Sequence, residues 1–129
     1  MNKKETIRLL KDKLIGIAIV GSRNFNDYDS LVKFIKEKIH LKEIKYVISG
    51  GARGADKLAE QFAYHYSFDI RVVYPNWRKY GRSAGFLRNK IIIENADVVF
   101  AFWDGESRGT LSSINLAKNL DKKLYVYNF

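Results

Sequence analysis

Two kinds of hydrophobic pattern alternate along this chain. Largely apolar runs over residues 15–20, 46–49, 70–74, 98–102 and 123–127, continuous rather than alternating, read as strands buried on both faces. Between them, apolar residues recur at helical spacing: Leu31, Phe34, Ile35 and Ile39; Leu58, Phe62 and Tyr66; Leu87 and Ile91, with Asn95 closing the stretch; and a last helix over residues 110–120. Strand and helix in strict alternation predict an α/β domain with right-handed crossovers. Residues 1–13 stand apart as a basic, polar extension in which Ile7, Leu10 and Leu14 have helix-like spacing. Either a short helix or a loose tail fits them, and residues 14–129 form the domain.

The expected architecture is Rossmann-like, a single domain with a mostly parallel five-stranded sheet and helices on both faces. In such sheets ligands bind beyond the carboxyl ends of the strands, so the loops opening at Gly21, Ser49, Pro75 and Trp103 should share one rim. The second of these loops is the most informative. Ser49-Gly50-Gly51-Ala52-Arg53-Gly54-Ala55-Asp56 follows a strand and opens a helix, an arrangement in which backbone N–H groups and the helix dipole converge on an anion. Arg53 adds a cation, although strand-to-helix turns need glycine for geometry alone.

Similar chemistry occurs on the neighbouring loops. Gly21-Ser22-Arg23 places a cation directly after the first strand, where Arg23 either meets phosphate or pairs with Asp27. Trp103-Asp104-Gly105-Glu106-Ser107-Arg108-Gly109-Thr110 makes a second anion cradle, with Thr110 as a cap and Asp104 and Glu106 as acid-base groups, ribose-hydroxyl acceptors or solvated carboxylates. Between these loops lies an aromatic and basic stretch with Trp77, Arg78, Lys79, Tyr80 and Arg82, followed by Arg88 and Asn89 near the start of a helix. It suits base stacking and phosphate binding, or an amphipathic cover over the sheet.

Composition narrows the partners. A net charge of +9 draws anions, whether nucleic acid, nucleotide or phosphorylated metabolite. The chain contains no cysteine, which removes thiolate, disulfide and cysteine-zinc chemistry. Neither His40 nor His65 has carboxylates at ligand spacing, so no metal site and no cofactor is expected. Gly-x-Gly-x-x-Gly and Gly-x-x-x-x-Gly-Lys-Ser/Thr spacings are both missing, which argues against dinucleotide and ATPase readings. No apolar run approaches a membrane span and no secretory signal opens the chain, so a cytoplasmic protein with no membrane role is expected.

Taken in order, Gly21-Ser22-Arg23, Gly50-Gly51-Ala52-Arg53-Gly54-Ala55-Asp56, Ala84-Gly85 with Leu87-Arg88-Asn89, Ala96-Asp97 and Arg108-Gly109-Thr110 resemble the YspA-related branch of the SLOG superfamily. That superfamily also holds the Lonely Guy phosphoribohydrolases and the DNA processing protein A family. The resemblance implies a fold that binds nucleotides, nucleotide derivatives or nucleic acid, and a homo-oligomer. Arg88 resembles the Lonely Guy catalytic arginine, but Ser113 stands where the catalytic glutamate belongs and supplies no carboxylate. The expected function is binding of a nucleotide or nucleotide-derived small molecule, for sensing or sequestration. Expected ligand contacts are Gly21, Ser22, Arg23, Ser49, Gly50, Gly51, Ala52, Arg53, Gly54, Asp56, Trp77, Arg88, Asn89, Trp103, Asp104, Arg108, Gly109 and Thr110. Two alternatives remain open: hydrolysis of an N-glycosidic or ADP-ribose-like bond, with Arg88, Asp104 and Glu106 as catalytic candidates, and binding of single-stranded nucleic acid.

Overall fold

The computed structural model describes Asn2, Lys3 and residues 14–129; the rest of the opening segment, for which a short helix and a loose tail are both expected alternatives, lies outside the described residues. Five strands form one sheet: β1 (Ile15–Gly21), β2 (Ile44–Ser49), β3 (Asp69–Val72), β4 (Val98–Trp103) and β5 (Lys123–Asn128). Their order is β3-β2-β1-β4-β5, and every neighbouring pair is parallel. The sheet is therefore wholly parallel rather than mostly so.

Helices α1 (Tyr28–Lys38), α2 (Ala55–His65), α3 (Trp77–Tyr80), α4 (Ala84–Glu94) and α5 (Arg108–Asn119) connect the strands. Side chains alternate across β1 and divide the core into two layers. Ile17 and Ile19 meet Leu31 and Ile35 of α1 and Phe62 of α2, whereas Ala18 and Val20 meet Ile92 and Ile93 of α4 and Ile114 of α5. Burial of both sheet faces explains why the central strands β1 and β4 read as apolar runs.

Several boundaries differ from the sequence pattern, most by one or two residues. β3 stops at Val72. Val73 still donates to the Ser49 carbonyl at 2.9 Å, but Tyr74 then turns to solvent ahead of Pro75, which has no N–H to extend the ladder. Helix α4 starts at Ala84, which places Arg88 in its second turn rather than at its start. Helix α5 starts at Arg108, because Ser107 and not Thr110 is the cap: Ser107 Oγ accepts from the Thr110 N–H at 3.3 Å.

At the amino-terminal edge of the sheet, Asp97 locks β4 to β1. Gly16 N–H donates to Asp97 Oδ2 and Asp97 N–H donates to the Gly16 carbonyl, both at 2.8 Å. The Ala96-Asp97 motif thus fixes strand register at the edge opposite the loops that carry the arginines.

Candidate functional site

Strand β1 is the point where the chain reverses its direction of winding. Its following connection leads through α1 to β2 on one side, whereas β4, on the other side of β1, leads through α5 to β5. The two loops part and leave a crevice at the carboxyl ends of the strands, where open α/β sheets place their ligands. A cleft of about 590 Å³ lies here, lined by Arg23, Asn24, Arg53, Asp104, Ser107 and Gly109. It falls within the size range of small-ligand sites.

Three loops build this cleft. After β1, Ser22 is buried and its N–H donates to the Phe102 carbonyl at 2.8 Å, fixing the turn that exposes Arg23. Asp27 caps α1 by accepting from Ser30 N–H and Ser30 Oγ, at 3.0 and 2.6 Å. Those bonds hold its carboxyl below the usual carboxylate range, with the Ser30 hydroxyl as the larger cause. Asp27 is thus engaged in the cap, and it forms no ion pair with Arg23.

The glycine-rich loop after β2 is held from inside by Asp56. This buried carboxyl accepts from Ala52 N–H at 3.1 Å and lies 3.0 Å from Ser49 Oγ. Burial pushes its pKa up, and the bonds from Ala52 and Ser49 and the nearby Arg88 guanidinium only partly pull it back. Arg88 reaches in from α4, with Nη1 donating to the Gly50 carbonyl at 2.5 Å and Nε to Asn89 Oδ1 at 2.8 Å. At Gly54, φ is +78° and an added Cβ would stand 2.5 Å from the backbone of Ser22 and Arg23, so only glycine allows this loop to lie against the β1 loop.

The loop after β4 closes the third side. Asp104 N–H donates to Ser22 Oγ at 3.2 Å, while Asp104 Oδ1 accepts from Ser107 N–H at 2.8 Å and Glu106 N–H at 2.9 Å. These two backbone donors hold the Asp104 carboxyl below its ordinary range, so it is ionised at neutral pH. Trp103 Nε1 donates to the Ser107 carbonyl at 3.0 Å, and Thr110 Oγ1 lies 3.0 Å from Ser107 Oγ. With Ser107 capping Thr110, the N–H groups of Arg108 and Gly109 stand first in the helix with no helical acceptor.

The residues expected at the site therefore fall into layers. Arg23, Arg53, Asp104 and Gly109 line the cleft directly. Ser22, Ser49, Asp56, Arg88, Asn89, Trp103 and Thr110 make bonds within and between the loops that shape it. Arg108 borders a separate groove between α4 and α5 with Phe86 and Leu111, and Ser113 is buried in α5. Trp77 and Tyr80 are exposed on α3 and line no part of the cleft. Asn24 and Ser107 do line it, although the sequence reading does not single them out. Serine and threonine are both preferred caps, so Ser107 carries the same local signal as Thr110.

Among the described residues no cluster of three or more His, Asp or Glu side chains is placed to hold a metal ion, and no helix is long and apolar enough to cross a membrane. His65 instead meets Tyr28, whose hydroxyl lies 3.1 Å from its Nδ1.

Known proteins share this frame. The gene 61 protein of Mycobacterium phage D29 is 34% identical over 101 residues, covering 73% of this chain and 81% of the phage protein. Among solved structures, DNA processing protein A from Helicobacter pylori, studied for its single-stranded DNA binding mode, matches with a TM-score of 0.67 at 22% identity. That match covers 92% of this chain and 67% of the other, and shows a common fold. The profile of the YspA, cpYpsA-related SLOG family matches residues 15–80, from β1 through the glycine-rich loop to α3. By this match the chain belongs to the YspA, cpYpsA-related SLOG family.

Proposed function

We propose that the chain binds a nucleotide or nucleotide-derived small molecule through its phosphate, for sensing or sequestration. One observation carries this reading: Arg23 and Arg53 line the cleft at the switch point, and among the described residues neither forms an ion pair or a side-chain hydrogen bond. Two unpaired guanidinium groups beside a helix N-terminus form a receptor for phosphate, with bidentate donors supplied by each arginine. Isothermal titration with a nucleoside monophosphate tests it. Arg23→Ala and Arg53→Ala should each weaken binding by about tenfold or more, since a bond to a charged group is worth about 1.5–3 kcal/mol. Unchanged affinity in both variants would overturn the assignment.

A second reading is binding of single-stranded nucleic acid, as the Helicobacter pylori protein does. Its support is local: Trp77 and Tyr80 are 56% and 44% exposed beside Arg78, Lys79 and Arg82, which places stackable rings among cations. This reading expects affinity for an oligonucleotide to fall steeply as salt rises, whereas a mononucleotide site should show a shallow dependence.

A further inference from the structure

We infer that the open edge of β3 is a self-association surface, on which a second copy of the chain pairs antiparallel about Ile70 and joins the two sheets into one. The inference is independent of the ligand readings above and uses none of the cleft residues.

β3 stands at the end of the strand order, so one side of its backbone has no partner in the sheet. The ladder fixes which groups lie on that side. Val73 N–H donates inward to the Ser49 carbonyl, and the backbone groups of successive residues point to opposite sides of a strand, so Asp69 and Arg71 also bond inward, to β2. Ile70 and Val72 therefore turn their N–H and C=O groups outward. An open row of this kind is a template for another strand.

The side chains select which strand fits. Edges are commonly blunted by charge, and a lone basic residue there repels its own copy. β3 instead carries Asp69 and Arg71, opposite charges two positions apart on one face. Both are exposed, and neither forms an ion pair among the described residues. When two β3 strands run antiparallel with Ile70 facing Ile70, Asp69 of each copy lies opposite Arg71 of the other. The outward N–H and C=O of Ile70 make this central pair the hydrogen-bonded kind. The two Asp69–Arg71 pairs then fall at non-hydrogen-bonded positions, where opposed side chains lie closest. Arg71 is already held in place, its guanidinium stacked 3.6 Å from the centroid of the Tyr46 ring.

The other face of the strand supplies apolar contact. Ile70 is level with Val47 in the ladder, on the side that α2 covers, yet it is 39% exposed at the open edge. α2 lies over β2 and β3, so two such helices flank the seam at roughly 10 Å, the spacing of packed helices. This helix carries Tyr64, which is 89% exposed in the single chain. Pairing removes Ile70 and Tyr64 of both copies from water on one face while the charge pairs close the other.

Sedimentation of the full chain tests this with two charge reversals, Asp69→Arg and Arg71→Asp. The unaltered chain should sediment as a concentration-dependent dimer. Each reversal alone turns two attractive cross-strand pairs into two repulsive ones and should weaken the dimer by about tenfold or more. An equimolar mixture of the two variants again sets opposite charges against each other at both positions, and should recover a mixed dimer, which variants that merely unfold could not form. A monomer at every concentration of the unaltered chain would overturn the inference and leave the edge to an extended segment of another protein. A dimer indifferent to both reversals would overturn it too, by placing self-association elsewhere on the surface. So would two variants that stay monomeric on mixing, because the charges would then act on the fold of β3 alone.

Discussion

The backbone N–H of Asp104 donates to Ser22 Oγ across 82 positions of sequence, at 3.2 Å. This bond joins the loop after β1 to the loop after β4, the two walls of the switch-point crevice. Ser22→Ala removes the side-chain acceptor of the Asp104 N–H. The variant should lose about 1 kcal/mol of stability in urea unfolding. Nucleotide affinity should fall with it, because Asp104 and the start of α5 lose their fixed distance from Arg23.

Gly54 presents a harder constraint. Its φ of +78° and the 2.5 Å approach of an added Cβ to Ser22 and Arg23 involve backbone atoms, which cannot swing aside as a side-chain tip does. Gly54→Ala should cost more than the roughly 1–2 kcal/mol of a left-handed non-glycine residue, because the β1 loop must also move. Thermal unfolding measures the loss. Gly109→Ala is the matching control, since no atom lies within 4 Å of an added Cβ there, and its stability should be unchanged or slightly raised by alanine's helix propensity.

The sequence made the centre of the sheet legible because burial on both faces writes β1 and β4 as nearly continuous apolar runs, and it made the glycine-rich loop legible because Gly50, Gly51 and Gly54 lie directly between a strand and a helix. Less legible was the division of labour among polar residues. Ser49, Asp56 and Arg88 carry chemistry suited to a ligand, yet their bonds run to Ile19, Ala52, Gly50 and Asn89 within the protein. Contacts such as Arg88 to Gly50, 38 positions apart, depend on how α4 lies over the sheet. Local pattern contains no trace of that placement. The start of α5 is hard to read from sequence for a related reason: serine and threonine are both good caps, and only the geometry shows that Ser107 takes the role while Thr110 lies inside the helix.

Asp56 should make stability depend on pH in an unusual direction for a carboxylate. Its folded pKa lies above the ordinary value of 3.8. The neutral acid is therefore favoured by folding, and the stability it contributes is full below 3.8 and lost as pH rises through the folded pKa. Asp27 and Asp104 work the opposite way: their lowered values give stability that is present above 3.8 and lost as pH falls through their folded pKa values. Asp56→Asn, which keeps an acceptor for Ala52 N–H and gains a donor toward Ser49 Oγ, should flatten the loss of stability on the alkaline side of 3.8 while leaving the acid limb intact. Urea midpoints of both proteins across pH 3 to 8 would show it. Parallel curves would mean that Asp56 ionises freely in the folded chain.

The aromatic stretch on α3 gives the sharpest separation of the two binding readings. Trp77 and Tyr80 are exposed, and Trp77 touches the body of the protein near Gly85, where an added Cβ would lie 3.5 Å from its ring. Replacing either residue by alanine should leave the unfolding midpoint nearly unchanged, because little apolar surface returns to water. If a nucleic acid strand lies across this surface, each ring stacks a base worth about 1–3 kcal/mol, and Trp77→Ala should weaken oligonucleotide binding about tenfold or more. The switch-point cleft is lined by other residues, so the same variant should bind a nucleoside monophosphate as tightly as the unaltered chain. Fluorescence anisotropy with a labelled single-stranded oligonucleotide, run beside the mononucleotide titration, reads both. A loss confined to the oligonucleotide would place a strand on α3, whereas equal losses would mean that α3 supports the cleft itself. No loss in either would return α3 to the role of a cover over the sheet and leave Arg23 and Arg53 as the cations that matter.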